Sequence, residues 1–310
     1  MKKNLLNSEI IQGRLYQHDL VKKKVQNKES KNYGVDFISG TLDIATDEEG
    51  LNIISVHYTF KTEVTSNGKK DVTYGVLDNI INSGKTWVTD GKDEAMKLRL
   101  TPSIAINDFI AADGTAVAQI RNEGGFVNIL RGELPEKEDE RNTFDCDMLI
   151  TGVFPVDETE DTPAFVRVKG AVFNFRGDLL PVEFVCKNVL TDYFLGLDAS
   201  PKNPVFTRVK GNIYNSTVVR KIEEEGAFGL VSVRTVNRTV KEYVITWTIP
   251  VAYDFGEEDT MTAEELKKAI QNREVYLADV KKRHDDYVAT RDSAPKASDT
   301  VKVVAENFDF

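Results

Sequence analysis

The sequence predicts a mainly β protein built of two five-stranded Greek-key barrels and a C-terminal α-helix. Three observations support this prediction: a glycine-centred strand pattern that recurs along the chain, an order of elements that occurs twice, and a helix start signal after residue 260. The chain has 310 residues, which is about twice the usual size of one domain. Two domains are therefore the first expectation.

The recurring pattern is an apolar residue, any residue, glycine, any residue and a second apolar residue. It is centred on Gly13, Gly40, Gly152, Gly170 and Gly211. Apolar residues at period two indicate strands, and a central glycine permits a bulge or a sharp coil of the strand. Strands that bend in mid-course close into small barrels.

Further strands and one short helix per half fill the intervals between these segments. The additional strands are predicted over residues 52–60, 98–106, 182–186, 231–236 and 243–251. The short helices are predicted over residues 76–83 and 188–197. Three strands, a short helix and two more strands is the order of an OB barrel, so the sequence predicts two OB-like barrels.

The predicted domain boundaries follow breaks in the hydrophobic period. They are a first barrel at residues 1–132, an acidic linker at 133–141, a second barrel at 142–255, a C-terminal helix at 261–290 and a flexible tail at 291–310. Thr262 and Glu265 form a capping box at the start of the helix. The apolar stripe from Leu266 to Tyr287 indicates that one helix face docks on a barrel or on a second copy of the chain.

Motifs and cysteine usage argue against an enzyme. Cys146 and Cys186 are the only cysteines, so neither a disulfide framework nor a cysteine-rich zinc site is indicated. The sequence has no phosphate-loop, dinucleotide-binding, zincin or nucleophile-elbow motif. It also has no stretch typical of a membrane span or a signal peptide. We therefore expect a non-enzymatic, cytoplasmic protein without membrane association, cofactor or metal.

Two of the glycine-centred strands carry both basic and aromatic side chains. Residues 165–174 and 206–215 align without a gap, as FVRVKGAVFN and FTRVKGNIYN. Alternation puts one set of side chains on the same face of each strand, namely Phe165, Arg167, Lys169 and Phe173, and Phe206, Arg208, Lys210 and Tyr214. Single-stranded nucleic acid needs such a face, because phosphates bind cations and unpaired bases stack on rings.

The predicted nucleic-acid-binding set adds Phe175, which follows the first of these strands, and Arg14 and Tyr16 in the first half of the chain. Its members are Arg14, Tyr16, Arg167, Lys169, Phe173, Phe175, Arg208, Lys210 and Tyr214. Residues 1–31 hold eight Lys and Arg against three Asp and Glu, a net charge of +5 on a chain whose total is −10. The charge is therefore segregated, as a binding groove on an acidic body requires. The same aromatic residues could instead pack under a helix, with the basic side chains as a solvated rim.

The repeated strands, their basic and aromatic faces and the final Asp309 and Phe310 resemble phage and bacterial single-stranded DNA-binding proteins of the OB type. The resemblance implies a protein that coats single-stranded DNA without sequence specificity and supports replication, recombination and repair. It also implies that Phe308, Asp309 and Phe310 recruit replication or recombination proteins. A homo-oligomer is compatible with this interpretation.

The alternative prediction is a phage structural or assembly protein whose β-domains and helix make protein contacts. Interfaces are also enriched in arginine and aromatic residues, so composition does not separate the two. Salt does, because phosphate contacts weaken as salt rises, whereas an apolar interface holds or tightens. A carbohydrate-binding β-domain would also use aromatic platforms, but it would not need the lysines.

Overall fold

The computed structural model describes residues 5–159, 163–225, 231–254 and 260–293, and gives only the backbone at 216–225, 231–240 and 291–293. Its elements in chain order are β1 (Asn7–His18), β2 (Val21–Lys24), β3 (Asp36–Ala45), β4 (Ile53–Thr62), α1 (Val72–Ser83), α2 (Trp87–Asp90), β5 (Lys97–Ile110), β6 (Ala116–Ile129), β7 (Asn142–Val156), β8 (Phe165–Phe173), β9 (Leu179–Cys186), α3 (Thr191–Leu195), β10 (Val205–Glu225), β11 (Val231–Thr248) and α4 (Ala263–Ser293). The strands predicted at 231–236 and 243–251 are one long strand, β11.

Barrel 1 is a closed ring of β1 and β3–β6. Strand β1 pairs antiparallel with β3 and β5, β3 pairs with β4, and β5 pairs with β6. The ring closes through a parallel pairing of β4 with β6. Helix α1 lies between β4 and β5 along the chain, and β2 adds to β3 as an edge strand.

Barrel 2 is a second ring with the same connectivity, built from β7–β11. Strand β7 pairs with β8 and β10, β8 pairs with β9, and β10 pairs with β11. Strands β9 and β11 close the ring as a parallel pair, and α3 lies between β9 and β10 along the chain. The predicted fold class, two OB-like barrels and a C-terminal helix, is confirmed.

The first strands of the two barrels join them into one sheet. Strand β1 pairs antiparallel with β7, from Asn7 opposite Cys146 to Ile11 opposite Asn142. The side-chain amide of Asn7 also donates to the carbonyl of Ile104 at 2.9 Å in barrel 1 and to that of Phe173 at 3.1 Å in barrel 2. The barrels are therefore held together by main-chain pairing as well as by side chains.

Glycine is required where the strands of barrel 2 approach most closely. A Cβ atom on Gly170 would lie 2.0 Å from the carbonyl oxygen of Leu149, and one on Gly211 would lie 1.9 Å from that of Val244. The register of β10 with β11 also shifts between Lys210 and Gly211. The central glycines thus permit tight strand contacts and bulges, as the pattern predicted.

Helix α4 packs on both barrels. Its capping box is formed as predicted, because the Glu265 amide donates to Thr262 Oγ1 at 3.2 Å and the Thr262 amide donates to Glu265 Oε2 at 3.0 Å. Its first turns lie against barrel 2, and further along the helix Arg273 Nη1 donates to Asp108 Oδ2 of β5 at 2.7 Å. Of the predicted stripe, Ile270, Leu277 and Tyr287 remain exposed. None of the helices in the described part of the chain combines the length and apolar character that a membrane span needs.

Candidate nucleic-acid interface

The outer face of β8 carries two cations that share one carboxylate. Val166 and Val168 are buried in barrel 2, whereas Arg167 and Lys169 point outward and are exposed. Arg167 Nε lies 3.6 Å from Glu183 Oε1 on β9, and Lys169 Nζ lies 3.2 Å from Glu183 Oε2. One carboxylate balances one of the two cations, so the pair keeps one unit of positive charge.

Two aromatic rings, one exposed and one half-buried, lie directly beside these cations. The Lys169 ammonium lies 5.2 Å from the ring centre of Phe154 on β7, and Phe154 is 48% exposed. The Arg167 guanidinium lies 5.8 Å from the ring centre of Phe165. We call Phe154, Phe165, Arg167, Lys169 and Glu183 the β8 cluster. It alternates cations with flat rings, the combination that single-stranded nucleic acid needs.

A second group of the same composition lies on β10 and its two neighbours. Arg208 donates to Asp145 on β7 through Nε at 2.8 Å and through Nη2 at 2.7 Å, and this contact raises the pKa of the guanidinium. Lys210 Nζ lies 3.3 Å from Asp145 Oδ2 and 5.0 Å from the ring centre of Trp247 on β11. Trp247 is 42% exposed. We call Asp145, Arg208, Lys210 and Trp247 the β10 cluster.

The prediction that Phe173 stacks on a base is wrong, because Phe173 has no exposed surface. Alternation assigned Phe173 and Phe206 to the outer face, and they do lie there, but α4 covers them. Both rings pack with Leu149 under a cap of Met261, Leu266 and Ala269. This cap lies between the β8 cluster and the β10 cluster. The single predicted surface is therefore divided into two.

The other predicted residues are not gathered at either cluster. Arg14 and Tyr16 are half-buried on the part of β1 that belongs to barrel 1, where the Tyr16 ring lies 6.0 Å from that of Trp87. Phe175 is 79% exposed at the β8–β9 turn. Tyr214 on β10 is partly exposed, and burial followed by the charge of Asp139 raises the pKa of its phenol.

The last three predicted residues, Phe308, Asp309 and Phe310, lie outside the described residues. Their predicted role in recruiting partners remains a prediction.

Sequence reasoning missed Phe154 and Trp247 because bulges turn them outward. The register of β7 with β8 shifts between Ile150 and Gly152, and that of β10 with β11 shifts opposite Thr246. Strict alternation would put Phe154 with buried Ile150, and Trp247 with buried Ile245. The glycine at each bulge was the available signal, but it does not say on which strand the extra residue falls.

Barrel 1 carries aromatic residues on the equivalent strands, which sequence reasoning also missed. The rings of Phe37 on β3 and Phe60 on β4 lie 4.6 Å apart, and Phe60 is 42% exposed. Lys23 of β2 pairs with Phe37 across the strands. A pair of rings, one exposed and one half-buried, thus lies on the second and third strands of this barrel, with Lys23 opposite Phe37 on the edge strand β2.

The fold and these clusters define a protein of two OB-like barrels with basic and aromatic outer faces. The chain belongs to the YorF family, whose model matches residues 11–283. No curated protein matches the sequence.

The solved structures that are similar to the chain include the following three. The wild-type single-stranded DNA-binding protein of Thermus aquaticus has a TM-score of 0.49 and 12% identity, covering 82% of this chain and 97% of that chain. A deletion mutant of the same protein has a TM-score of 0.47 and 14% identity, covering 82% of this chain and 98% of that chain. A replication protein A heterotrimer bound to single-stranded DNA has a TM-score of 0.20 and 11% identity, covering 76% of this chain and 49% of that chain.

Proposed function

We propose that the protein binds single-stranded DNA without sequence specificity, and that the β8 cluster is its main contact surface. The observation that supports this most directly is the pair Arg167 and Lys169, which share one carboxylate and lie beside the exposed ring of Phe154 and the half-buried ring of Phe165. The residues of the β8 cluster lie on β8 and β9, the second and third strands of barrel 2, and on β7 beside them. That strand face is where OB folds bind oligonucleotides.

Binding at the β8 cluster is an exchange of ionic partners. A phosphate replaces Glu183 as the partner of Arg167 and Lys169, and the released carboxylate turns to solvent. As Lys169 moves to the phosphate, the ring of Phe154 is left open for an unpaired base. Each stacked base contributes about 1–3 kcal/mol, and every base offers a flat face, so the contact is tolerant of sequence.

Barrel 1 contributes a second part of the contact in this proposal. Phe37 on β3 and Phe60 on β4 supply rings on the strands equivalent to β8 and β9, and Lys23 supplies a cation from the edge strand β2. Phe175, on its exposed turn, and the half-buried Arg14 and Tyr16 are further candidates from the sequence.

The resemblance of the sequence to phage and bacterial single-stranded DNA-binding proteins supports a more specific proposal about the role of the protein. We infer a phage-type protein of the host cytoplasm that protects single strands during replication, recombination or repair. Residues 308–310 would recruit the partner proteins.

The proposal is tested by fluorescence anisotropy of a labelled oligo-dT, with a duplex of equal length as competitor. The variant Phe154→Ala with Phe165→Ala should weaken single-strand binding at least tenfold, because two stacking platforms are lost. Phe126→Ala is the matched control, since Phe126 is a 67% exposed ring on β6 outside both clusters. Equal affinity of wild type and the folded double variant would contradict the proposal, as would equal binding of the duplex.

A further inference from the structure

We propose that the β10 cluster is a second binding site for single-stranded nucleic acid, separate from the β8 cluster. This inference rests on the proposed function of the β8 cluster. It goes further by assigning a ligand to Trp247 and by giving barrel 2 two sites instead of one continuous surface.

The first argument is that the two clusters share one construction. Each begins with Arg-Val-Lys-Gly on one strand, at residues 167–170 and 208–211. In each, one carboxylate on a neighbouring strand lies within ion-pair distance of both cations, with the closer contact at 3.2 Å for Glu183 and 2.7 Å for Asp145. In each, the lysine ammonium lies near an exposed ring, 5.2 Å from the ring centre of Phe154 and 5.0 Å from that of Trp247.

This shared construction is not a consequence of sequence repetition alone. The carboxylates Glu183 and Asp145 come from β9 and β7, and the rings of Phe154 and Trp247 come from β7 and β11. A repeated strand would reproduce its own arginine and lysine, but not partners supplied by different neighbours. Both rings also reach the outer face only through a bulge beside a glycine.

The second argument concerns the separation of the clusters. Asp145 and Phe154 are nine residues apart on β7, which corresponds to roughly 30 Å along a strand. Between them, Leu149 and Phe206 are buried under the first turns of α4. A bound strand lying on one cluster is therefore blocked from running flat along β7 to the other.

The third argument is that the β10 cluster opens onto a groove of suitable size. The groove has a volume of about 480 Å³, and its charged lining residues are Lys137, Asp139, Glu140, Asp145 and Lys210. Arg208 and Trp247 lie beside this lining and are not part of it. Ligand sites of roughly 300–1,000 Å³ are typical, so a nucleotide fits. A base would stack on Trp247 while Arg208 and Lys210 bind the adjoining phosphates.

The test uses Trp247 as its own reporter. The chain has two tryptophans, and the other, Trp87, packs beside Tyr16 away from both clusters. In a Trp87→Phe background, checked for an unchanged melting temperature, Trp247 is the sole tryptophan. The protein is titrated with unlabelled oligo-dT of about eight nucleotides, a length within the range that one OB fold covers.

We expect oligo-dT to quench Trp247, and we expect the quench to persist when Phe154→Ala and Phe165→Ala are added. Arg208→Ala with Lys210→Ala should shift the quench to at least tenfold higher oligonucleotide concentration. Lys85→Ala is the matched control, because Lys85 pairs with Glu94 outside both clusters, and it should leave the quench unchanged.

Two results would overturn the inference while leaving the proposed function intact. One is binding by anisotropy without any change in Trp247 fluorescence. The other is a quench that disappears with Phe154→Ala and Phe165→Ala, which would mean one continuous site. Absence of both binding and quench would overturn the proposed function itself.

Discussion

Glu9 is a fully buried carboxylate at the junction of the two barrels. Its Oε1 accepts a hydrogen bond from the Tyr243 hydroxyl at 3.0 Å, whereas its Oε2 has no hydrogen-bond partner among the described residues. Burial raises the pKa of Glu9 to about 7, with Lys241 and Tyr243 acting in the opposite direction. The carboxyl group is therefore neutral below about pH 7, and ionises above it at a cost.

The ionisation of Glu9 predicts a pH dependence of stability. Because its folded pKa of about 7 exceeds the ordinary value of 4.5, the folded state binds a proton that the unfolded state has lost between these values. The free energy of unfolding should fall from pH 5 to pH 7, by on the order of 3 kcal/mol at most. Glu9→Gln should remove this part of the slope. Urea denaturation at pH 5, 6, 7 and 8 measures it, and an identical slope in the variant would show that Glu9 does not titrate as described.

Glu183 competes with phosphate for both cations of the β8 cluster, so its removal should strengthen binding. Glu183→Gln keeps the shape of the side chain but frees Arg167 and Lys169, and we expect three- to tenfold tighter binding of oligo-dT. Glu94→Gln, whose carboxylate pairs with Lys85, is the control for a general loss of negative charge. Unchanged or weaker binding by Glu183→Gln would mean that the carboxylate does not oppose the ligand.

At the scale of elements, most strands and the helices α1, α3 and α4 were predictable because they depend on local patterns. Strands β2 and β6 and the short helix α2 were not predicted. The capping box of α4 and the glycine-centred strands follow from residue types at fixed spacings. Packing under a helix was one of the alternatives that the sequence left open for the aromatic residues, and it holds for Phe173. The sequence did not choose between the alternatives, because the cover depends on where α4 packs, which is a tertiary contact. The outward turn of Phe154 and Trp247 was also hidden, since a bulge of one residue reverses the alternation beyond it.

Because the strands of barrel 2 are in close contact, adding one methyl group at Gly170 should lower the stability of the protein strongly. Gly170→Ala would place a Cβ atom 2.0 Å from the Leu149 carbonyl oxygen, and neither atom is at the end of a flexible side chain. We expect a loss of at least 2 kcal/mol in the free energy of unfolding. Gly75→Ala is the matched control, because Gly75 lies in α1 with open space around its Cβ position. It should be neutral or stabilise by about 0.5–1 kcal/mol. Equal melting temperatures of the two variants would contradict this account of the barrel.

At the scale of the whole molecule, two OB-like barrels share a sheet, and charge on their surface is locally paired. The chain is acidic overall, with a net charge of −10, and each of the two clusters has one more cation than its shared carboxylate balances. The repeated Arg-Val-Lys-Gly was predictable from the sequence. The sequence did not predict that one carboxylate pairs with both cations of each cluster. Glu183 and Asp145 lie on neighbouring strands, and only the closed barrels define which strands are neighbours.

The most direct test of the proposed function is the salt dependence of oligo-dT affinity, in wild type and in Arg167→Ala with Lys169→Ala. Wild-type affinity should fall linearly on logarithmic axes as salt rises. The variant should show a slope shallower by about 1.4, since each lost phosphate contact on a single strand accounts for about 0.7. A flat plot, or an affinity that rises with salt as for an apolar protein interface, would contradict single-strand binding at the β8 cluster.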